Sequence, residues 1–381
     1  MLMKSKTLNS IVLILLALGG LLYGQSFDAG SDGSLGDVVI AVSTNLDLPP
    51  DGKLNFKSLT VNSSATLGFN RNAKNTPVYV LAQTEIVVNG IITVDGGLRI
   101  VNTGGAGGPG GFDGGKPGFG TDAPPGDGYG PGGGHSGVNT CSDDAITAEG
   151  GGYGTTRGSF SGSTYGNTTL IPLVGGSGGG GGAGDPNGGG GGGGGAVMLA
   201  ANNRVAVNGT IFSRGGSGGF CIDGGSGGAI RLVSFKVEGA GSLDTHSQGN
   251  AGQGRIRIDT VVRTNLNFNM QGASTIGGNL LVFPPTVPSL AVIQAAGNNI
   301  PEGSNPVVFT LPFGSSTNRT IRIQARDFSR NLPIRVTLTP DSGTKQIFDT
   351  AVDNTSVNPA VVDVPVTVPV NTLVTVHCWT R

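Results

Sequence analysis

The chain has 381 residues, of which 12% are charged, and Lys plus Arg (23) nearly balance Asp plus Glu (24) for a formal net charge of −1. That balance leaves no basic footprint for nucleic acid or an anionic membrane surface. The length allows two or three domains and a sizeable core.

Lys4 and Lys6 precede an apolar stretch from Ile11 to Leu18, followed by Gly19, Gly20 and Gly24. A stretch this short does not span a bilayer, and small residues after it mark an export signal. Residues 1–24 are read as a signal peptide cleaved near Gly24–Gln25. The mature chain is expected outside the cytoplasm, with no transmembrane segment.

Val38-Val39-Ile40-Ala41-Val42 and Leu59-Thr60-Val61-Asn62 open a pattern of short strands. Ile86-Val87-Val88-Asn89-Gly90-Ile91-Ile92 and Val205-Ala206-Val207-Asn208-Gly209-Thr210-Ile211 are near copies, and each follows another strand-like run. Matched units at 78–92, 197–211, 230–243 and 256–270 each read as two short strands joined by a bend. Such units bury an apolar face only by stacking on neighbours. The expected fold is all-β: a right-handed parallel β-helix over residues 25–283. An antiparallel sandwich is the competing arrangement, disfavoured because two-residue hairpin turns between long strands are missing. Asn62, Asn89 and Asn208 each follow a Val read as inward, and form a candidate polar ladder with Glu238 and Gln271 at comparable places. Alternation in Ile230-Arg231-Leu232-Val233 and Arg255-Ile256-Arg257-Ile258 places the arginines in water.

Between Gly104 and Gly254 lie 54 of the 72 glycines. The main glycine-rich insertions are 104–195 and 215–228. Ordering a glycine costs roughly 0.5–1 kcal/mol more than ordering alanine, so these segments either stay flexible or bond their backbones to one another. The three-residue beat of Gly104-Gly105-Ala106-Gly107-Gly108 fits packed, polyglycine-II-like strands, which satisfy their amides only through neighbours. Cys141 and Cys221 both fall in these insertions and form a candidate disulfide, leaving Cys378 unpaired.

After the Pro-rich 283–288 segment, glycine thins. Strands are expected at 290–295, 307–311, 320–326, 334–339, 346–351, 361–367 and 373–379, an immunoglobulin-like β-sandwich over 289–381 without the Cys-Trp-Cys signature.

Apparent catalytic motifs dissolve on inspection. Gly110, Gly115 and Lys116 are spaced like a phosphate loop, but Pro117 replaces the required hydroxyl residue and no helix follows. Three Gly-x-Ser-x-Gly matches, such as Gly175 to Gly179, are what this composition produces by chance and lack a strand-turn-helix setting. His135, His246 and His377 have no metal-ligand spacing, and His377 reads as a surface side chain of the last strand. Asp28, Asp32 and Asp37 match no calcium-loop spacing. No catalytic, cofactor-binding or metal-binding residue is assigned. Phe112, Phe119, Tyr129, Tyr153 and Tyr165 are candidate surface-binding aromatics, which equally well cap glycine strands.

Ser26-Phe27-Asp28-Ala29-Gly30-Ser31-Asp32-Gly33, Leu46-Asp47-Leu48-Pro49-Pro50-Asp51-Gly52 and Phe69-Asn70-Arg71-Asn72, with Gly228-Ala229-Ile230-Arg231 and Gly254-Arg255-Ile256-Arg257, resemble a group of exported glycine-rich bacterial proteins of unassigned function. The resemblance implies export and an extracellular or surface setting, and carries over no functional residue. The expected function is that of a non-enzymatic extracellular or cell-surface structural or adhesive protein. Its partners would be surface polysaccharide or other surface components, or further copies of itself. One alternative is a secreted carbohydrate-active enzyme, a polysaccharide lyase or hydrolase, with Arg231, Arg255, Arg257, Asp244 and Asp259 lining an exposed sheet. Another is a subunit of an extracellular fibre.

Overall fold

The computed structural model describes residues 27–119, 123–137, 148–157, 161–183, 188–219, 224–304 and 306–381. These residues are all-β, with no helix among them and hence none long and apolar enough to cross a membrane. The signal segment 1–24, Cys141 and Cys221 lie outside the described residues.

The chain first makes β1 (Asp37–Ile40) and β2 (Thr44–Asp47), then β3 (Lys53–Phe56), β4 (Ser58–Val61) and β5 (Thr66–Asn70). A third pass makes β6 (Val78–Ala82), β7 (Glu85–Val88) and β8 (Ile91–Thr93). Later passes are β9 (Ala196–Val207) with β10 (Thr210–Phe212), β11 (Ala229–Glu238) with β12 (Ser242–Asp244), and β13 (Arg255–Val262) with β14 (Asn269–Gln271), before β15 (Ala273–Gly277). A nine-stranded sheet runs β1-β4-β7-β9-β11-β13-β15, with β3 and β6 joining it at β9; a six-stranded sheet runs β14-β12-β10-β8-β5-β2. Pairing within both is parallel, and each pass leaves one sheet for the other and advances one strand, a β-helix-like path. Sequence alternation makes this stack cohere. Val78, Val197, Ile230 and Ile256 share one column, and Val80, Leu199, Leu232 and Ile258 the next, all at most 1% exposed. Burying such a side chain stabilises the fold by about 1.5–3 kcal/mol.

The opposite face of the long sheet departs from expectation. Leu81, Met198, Ala200 and Val233 point away from that core yet are also buried, packed against Tyr153, Leu170, Leu173 and Val282. Arg231, expected in water, is 1% exposed. Strand alternation assigns residues to faces but does not reveal what covers a face. Here segments leaving the glycine-rich insertion and the stretch after β15 cover it.

The glycine segments are bonded, and their bonds do not follow strand periodicity. Residues 188–195 exchange backbone hydrogen bonds with six segments: 94–97, 105–108, 112–115, 176–182, 216–219 and the stretch at Ser226. Contacts recur every third residue. Gly176, Gly179 and Gly182 donate to the carbonyls of Gly194, Gly191 and Gly188, while Gly105 and Gly108 donate to Gly190 and Gly193. The first set runs antiparallel and the second parallel. A β-strand bonds in one plane with period two, whereas a period of three turns the amides to neighbours all around. The packing leaves no room for side chains: a Cβ on Gly193 would collide with the Gly176 carbonyl, and one on Gly190 with that of Gly179. The central segment runs directly into β9, so bundle and sheet form one continuous piece.

From Ser289 onward the pairing turns antiparallel. Here β16 (Ser289–Ala295), β17 (Asn298–Asn299), β18 (Val307–Thr310), β19 (Asn318–Arg326), β20 (Asn331–Pro340), β21 (Gln346–Asp353), β22 (Ala360–Thr367) and β23 (Leu373–Thr380) form two four-stranded sheets. Their orders are β17-β16-β19-β22 and β18-β23-β20-β21. Ile321 and Ile323 from one sheet and Ile334, Val336 and Val376 from the other share one core.

Candidate functional site

The residues singled out in the sequence fall in separate places. Val61, Val88 and Val207 are in register, so Asn62, Asn89 and Asn208 follow one another along the stack, and Asn208 Nδ2 donates to Asn89 Oδ1 at 2.9 Å. Glu238 does not extend the ladder, because it pairs with Ala206, two positions before Asn208. Gln271 lies in the other sheet, opposite Asp244. Of the aromatics, Phe119 is 55% exposed. Tyr153 is 1% exposed, its ring 4.6 Å from that of Tyr165, so it is a core side chain and no surface contact. Tyr165 donates its hydroxyl to the Gly175 carbonyl at 2.5 Å and accepts from Ser177 at 3.0 Å, which ties it to the glycine bundle.

Phe112 and Tyr129 mark a seam between the glycine segments and the antiparallel sheets. Phe112 meets His377 edge-on at 5.4 Å, and Lys116 Nζ pairs with Asp341 at 2.5 Å. Asp127, 1% exposed, accepts from the Ser136 amide at 2.7 Å and the Lys345 amide at 3.0 Å and faces His135 Nδ1 at 3.2 Å. Burial opposes ionisation of Asp127, but those hydrogen bonds outweigh it and hold its pKa at about 2. His377 is half-buried rather than a surface side chain, and burial pushes its imidazole down to about 4. Cys378 beside it is free, its thiol pushed up to about 12 by burial.

Of the arginines proposed for an enzymatic face, Arg231 is an interior group, while Arg255 and Arg257 are partly buried and Arg255 Nη2 donates to the Tyr165 carbonyl at 2.9 Å. Arg231 Nη2 pairs with Asp259 at 3.1 Å and donates to the Leu281 carbonyl at 2.6 Å; the side chains of Arg231 and Asp259 are each 1% exposed. Arg257 holds the other oxygen of Asp259 at 2.6 Å. Burial lowers the pKa of Arg231, and its pairing with Asp259 works against that shift. No polymer chain reaches this cluster, so it is a structural ion network.

A cleft of about 520 Å³ opens beside the last passes, lined by Thr155, Arg157, His246, Ser247, Gln253 and Gln271 among others. Asp244, at the end of β12, places Oδ1 2.7 Å from His246 Nδ1, and Gln248 Nε2 approaches His246 Nε2 at 3.2 Å. With Asp244 as acceptor, Nδ1 carries the proton and Nε2 accepts from the amide. Both ring nitrogens are therefore engaged. Ser247 gives its hydroxyl to the Ala251 carbonyl at 2.5 Å, not to His246, so no activated nucleophile forms. Arg157, Gln253 and Gln271 leave a donor-rich polar rim suited to hydroxyl or carboxylate groups of a ligand. Asp244 reads in the sequence as a candidate acid, but its pairing with His246 does not: the two are joined by a local turn in which Asp244 Oδ1 also accepts from the His246 amide at 3.0 Å.

No protein-family model and no curated protein matches this chain. Among solved structures, chitinase ChiW from Paenibacillus sp., a bacterial cell-surface-expressed multi-modular enzyme, aligns with 90% of this chain at 11% identity and a TM-score of 0.17. The aligned region is 24% of that protein's length. A likeness this slight carries no argument about fold or activity.

Proposed function

We propose that this chain is a non-enzymatic extracellular or cell-surface protein with a structural or adhesive role. In this reading the parallel sheets are a right-handed β-helix, the glycine segments a polyglycine-II-like bundle, and the antiparallel pair an immunoglobulin-like sandwich. The observation that carries the proposal is the bonding of residues 188–195 to six neighbouring segments with no room for a Cβ. Such a bundle is rigid and low in charge, and it needs no ligand to be ordered. The exposed ring of Phe119 and the donor-rich cleft at Arg157 and His246 present an apolar face and polar donors, the two kinds of contact a surface polysaccharide takes.

A test is fractionation of cells producing the tagged chain, combined with pull-down of isolated surface polysaccharides. The expected result is protein in the surface or extracellular fraction that retains polysaccharide without shortening it. The alternative, a carbohydrate-active enzyme, draws on the Asp244–His246 pair in the cleft. Release of shorter saccharides by purified protein, lost on His246→Ala, would establish that alternative and overturn the proposal.

A further inference from the structure

We propose that the two ends of the parallel stack form an interaction surface for a second copy of this chain, joined head to tail. The inference rests on the structural reading above and names the partner.

One inward column of the stack runs out at the last pass and another at the first. Leu54, Val80, Leu199, Leu232, Ile258 and Ile276 occupy one column, pair by pair. All are at most 7% exposed except the last, Ile276, at 40%. At the other end, Val38 leads the column of Leu59, Ile86, Val205 and Val237; those four are fully buried while Val38 is only partly so. The apolar residues packed against this core yet only partly buried are Val38 and Leu46 from the first pass and Leu266, Phe268 and Met270 from the last. Each lacks one stacking neighbour, and the neighbour it lacks is another pass of the same kind.

The strand edges give the same answer. Among the described residues, β1 pairs only with β4 and β2 only with β5, while β14 pairs only with β12 and β15 only with β13. Exposed edges are ordinarily blunted by charge or proline, yet β14 and β15 read Asn-Met-Gln and Ala-Ser-Thr-Ile-Gly. The antiparallel sheets do not cap this end. After β15 the chain turns back over the long sheet, where the Leu281 carbonyl meets Arg231 and Phe283 packs 5.2 Å from Tyr79. The sheets then dock on the glycine segments at Lys116 and Asp127.

A parallel edge accepts a strand running in its own direction, and the opposite end of this same stack supplies one. Charge agrees with that pairing. Asp37 and Asp47 stand on the first pass, Asp37 beside Lys57 at 2.8 Å and Asp47 taking a bond from Asn70 at 2.7 Å, while Arg263 is exposed beside the last. Head-to-tail contact brings unlike charges together, and head-to-head contact does not. An interface between two different surfaces does not close on itself unless its rotation closes a ring, so the product is a chain of copies.

Sedimentation and electron microscopy of the full exported chain test this from about 1 to about 100 μM. Concentration-dependent oligomers or filaments are expected. Ile276→Lys at one end and Val38→Lys at the other should each shift assembly to at least about tenfold higher concentration, and an equimolar mixture of the two should form dimers and stop there. Arg263→Glu, at an exposed site that leaves the core untouched, should weaken assembly in the same direction should either lysine variant fail to fold. A wild-type monomer across the whole range, or assembly indifferent to Ile276→Lys and Arg263→Glu, overturns the inference. A monomer that still retains surface polysaccharide defeats this inference alone. Saccharide release defeats the structural reading, whatever the state of assembly.

Discussion

Arg231 shows how far a single residue is legible from its neighbours in sequence. The alternation of Ile230, Arg231, Leu232 and Val233 puts Arg231 opposite the core, which is where it lies. The covering chain at Leu281 and Tyr153 comes from remote segments that no local pattern announces. Removing one partner of a buried pair leaves an uncompensated charge, a loss of about 3–5 kcal/mol. Asp259→Ala is expected to lower stability by that order in chemical denaturation, while Arg322→Ala, whose partner Asp363 is exposed, should leave the denaturation midpoint nearly unchanged. His377 makes a second prediction at this scale. Its folded pKa of about 4 lies below the ordinary histidine value, so the unfolded chain binds more protons between those limits. Stability is then full above about pH 6.5 and falls as pH drops toward 4, by at most about 3 kcal/mol. Denaturation midpoints of wild type and His377→Gln across that window should converge at low pH and separate at neutral pH if the burial argument holds. Asp127, held at about 2, loses its contribution at lower pH and does not confuse the measurement.

Among elements, the glycine segments carry the sharpest contrast between what sequence shows and what it hides. The three-residue beat at Gly104 to Gly111 is visible in the chain, as are the boundaries where glycine gives way to β9, β11 and β13. Which segment lies beside which is not, since residues without side chains leave no apolar or charged mark of register. Strands with side chains are the opposite case. The repeat of Asn89-Gly90 in Asn208-Gly209 fixed both the element and its stacking partner, and Asn208 bonds to Asn89. Replacing glycine by alanine where the backbone and the space are compatible ordinarily stabilises by about 0.4–1 kcal/mol. Gly193→Ala should behave differently, because its Cβ would collide with the Gly176 carbonyl; a loss of about 3 kcal/mol or more is expected. Gly278→Ala is the matched control. The nearest atom to its Cβ is the Thr260 oxygen at 3.8 Å, and no loss, or a gain of up to about 1 kcal/mol, is expected. Equal thermal shifts for the two variants would remove the argument from packing.

At the scale of the whole molecule, parallel stack, glycine bundle and antiparallel sheets are joined by polar contacts at Lys116, Asp127 and Tyr129 and by the Phe112–His377 ring pair. The change in composition near Phe283 marks where one part ends, but nothing in it says that the second part folds back onto the insertion. The central claim is that the glycine-rich chain is interior structure rather than loop. Amide hydrogen exchange on the native protein, resolved by segment, tests it most directly. Residues 105–115, 176–182 and 190–195 should exchange as slowly as β9 and β11, because most of their amides donate to neighbouring segments. Exchange of 190–195 within seconds, while β9 remains protected, would contradict the account.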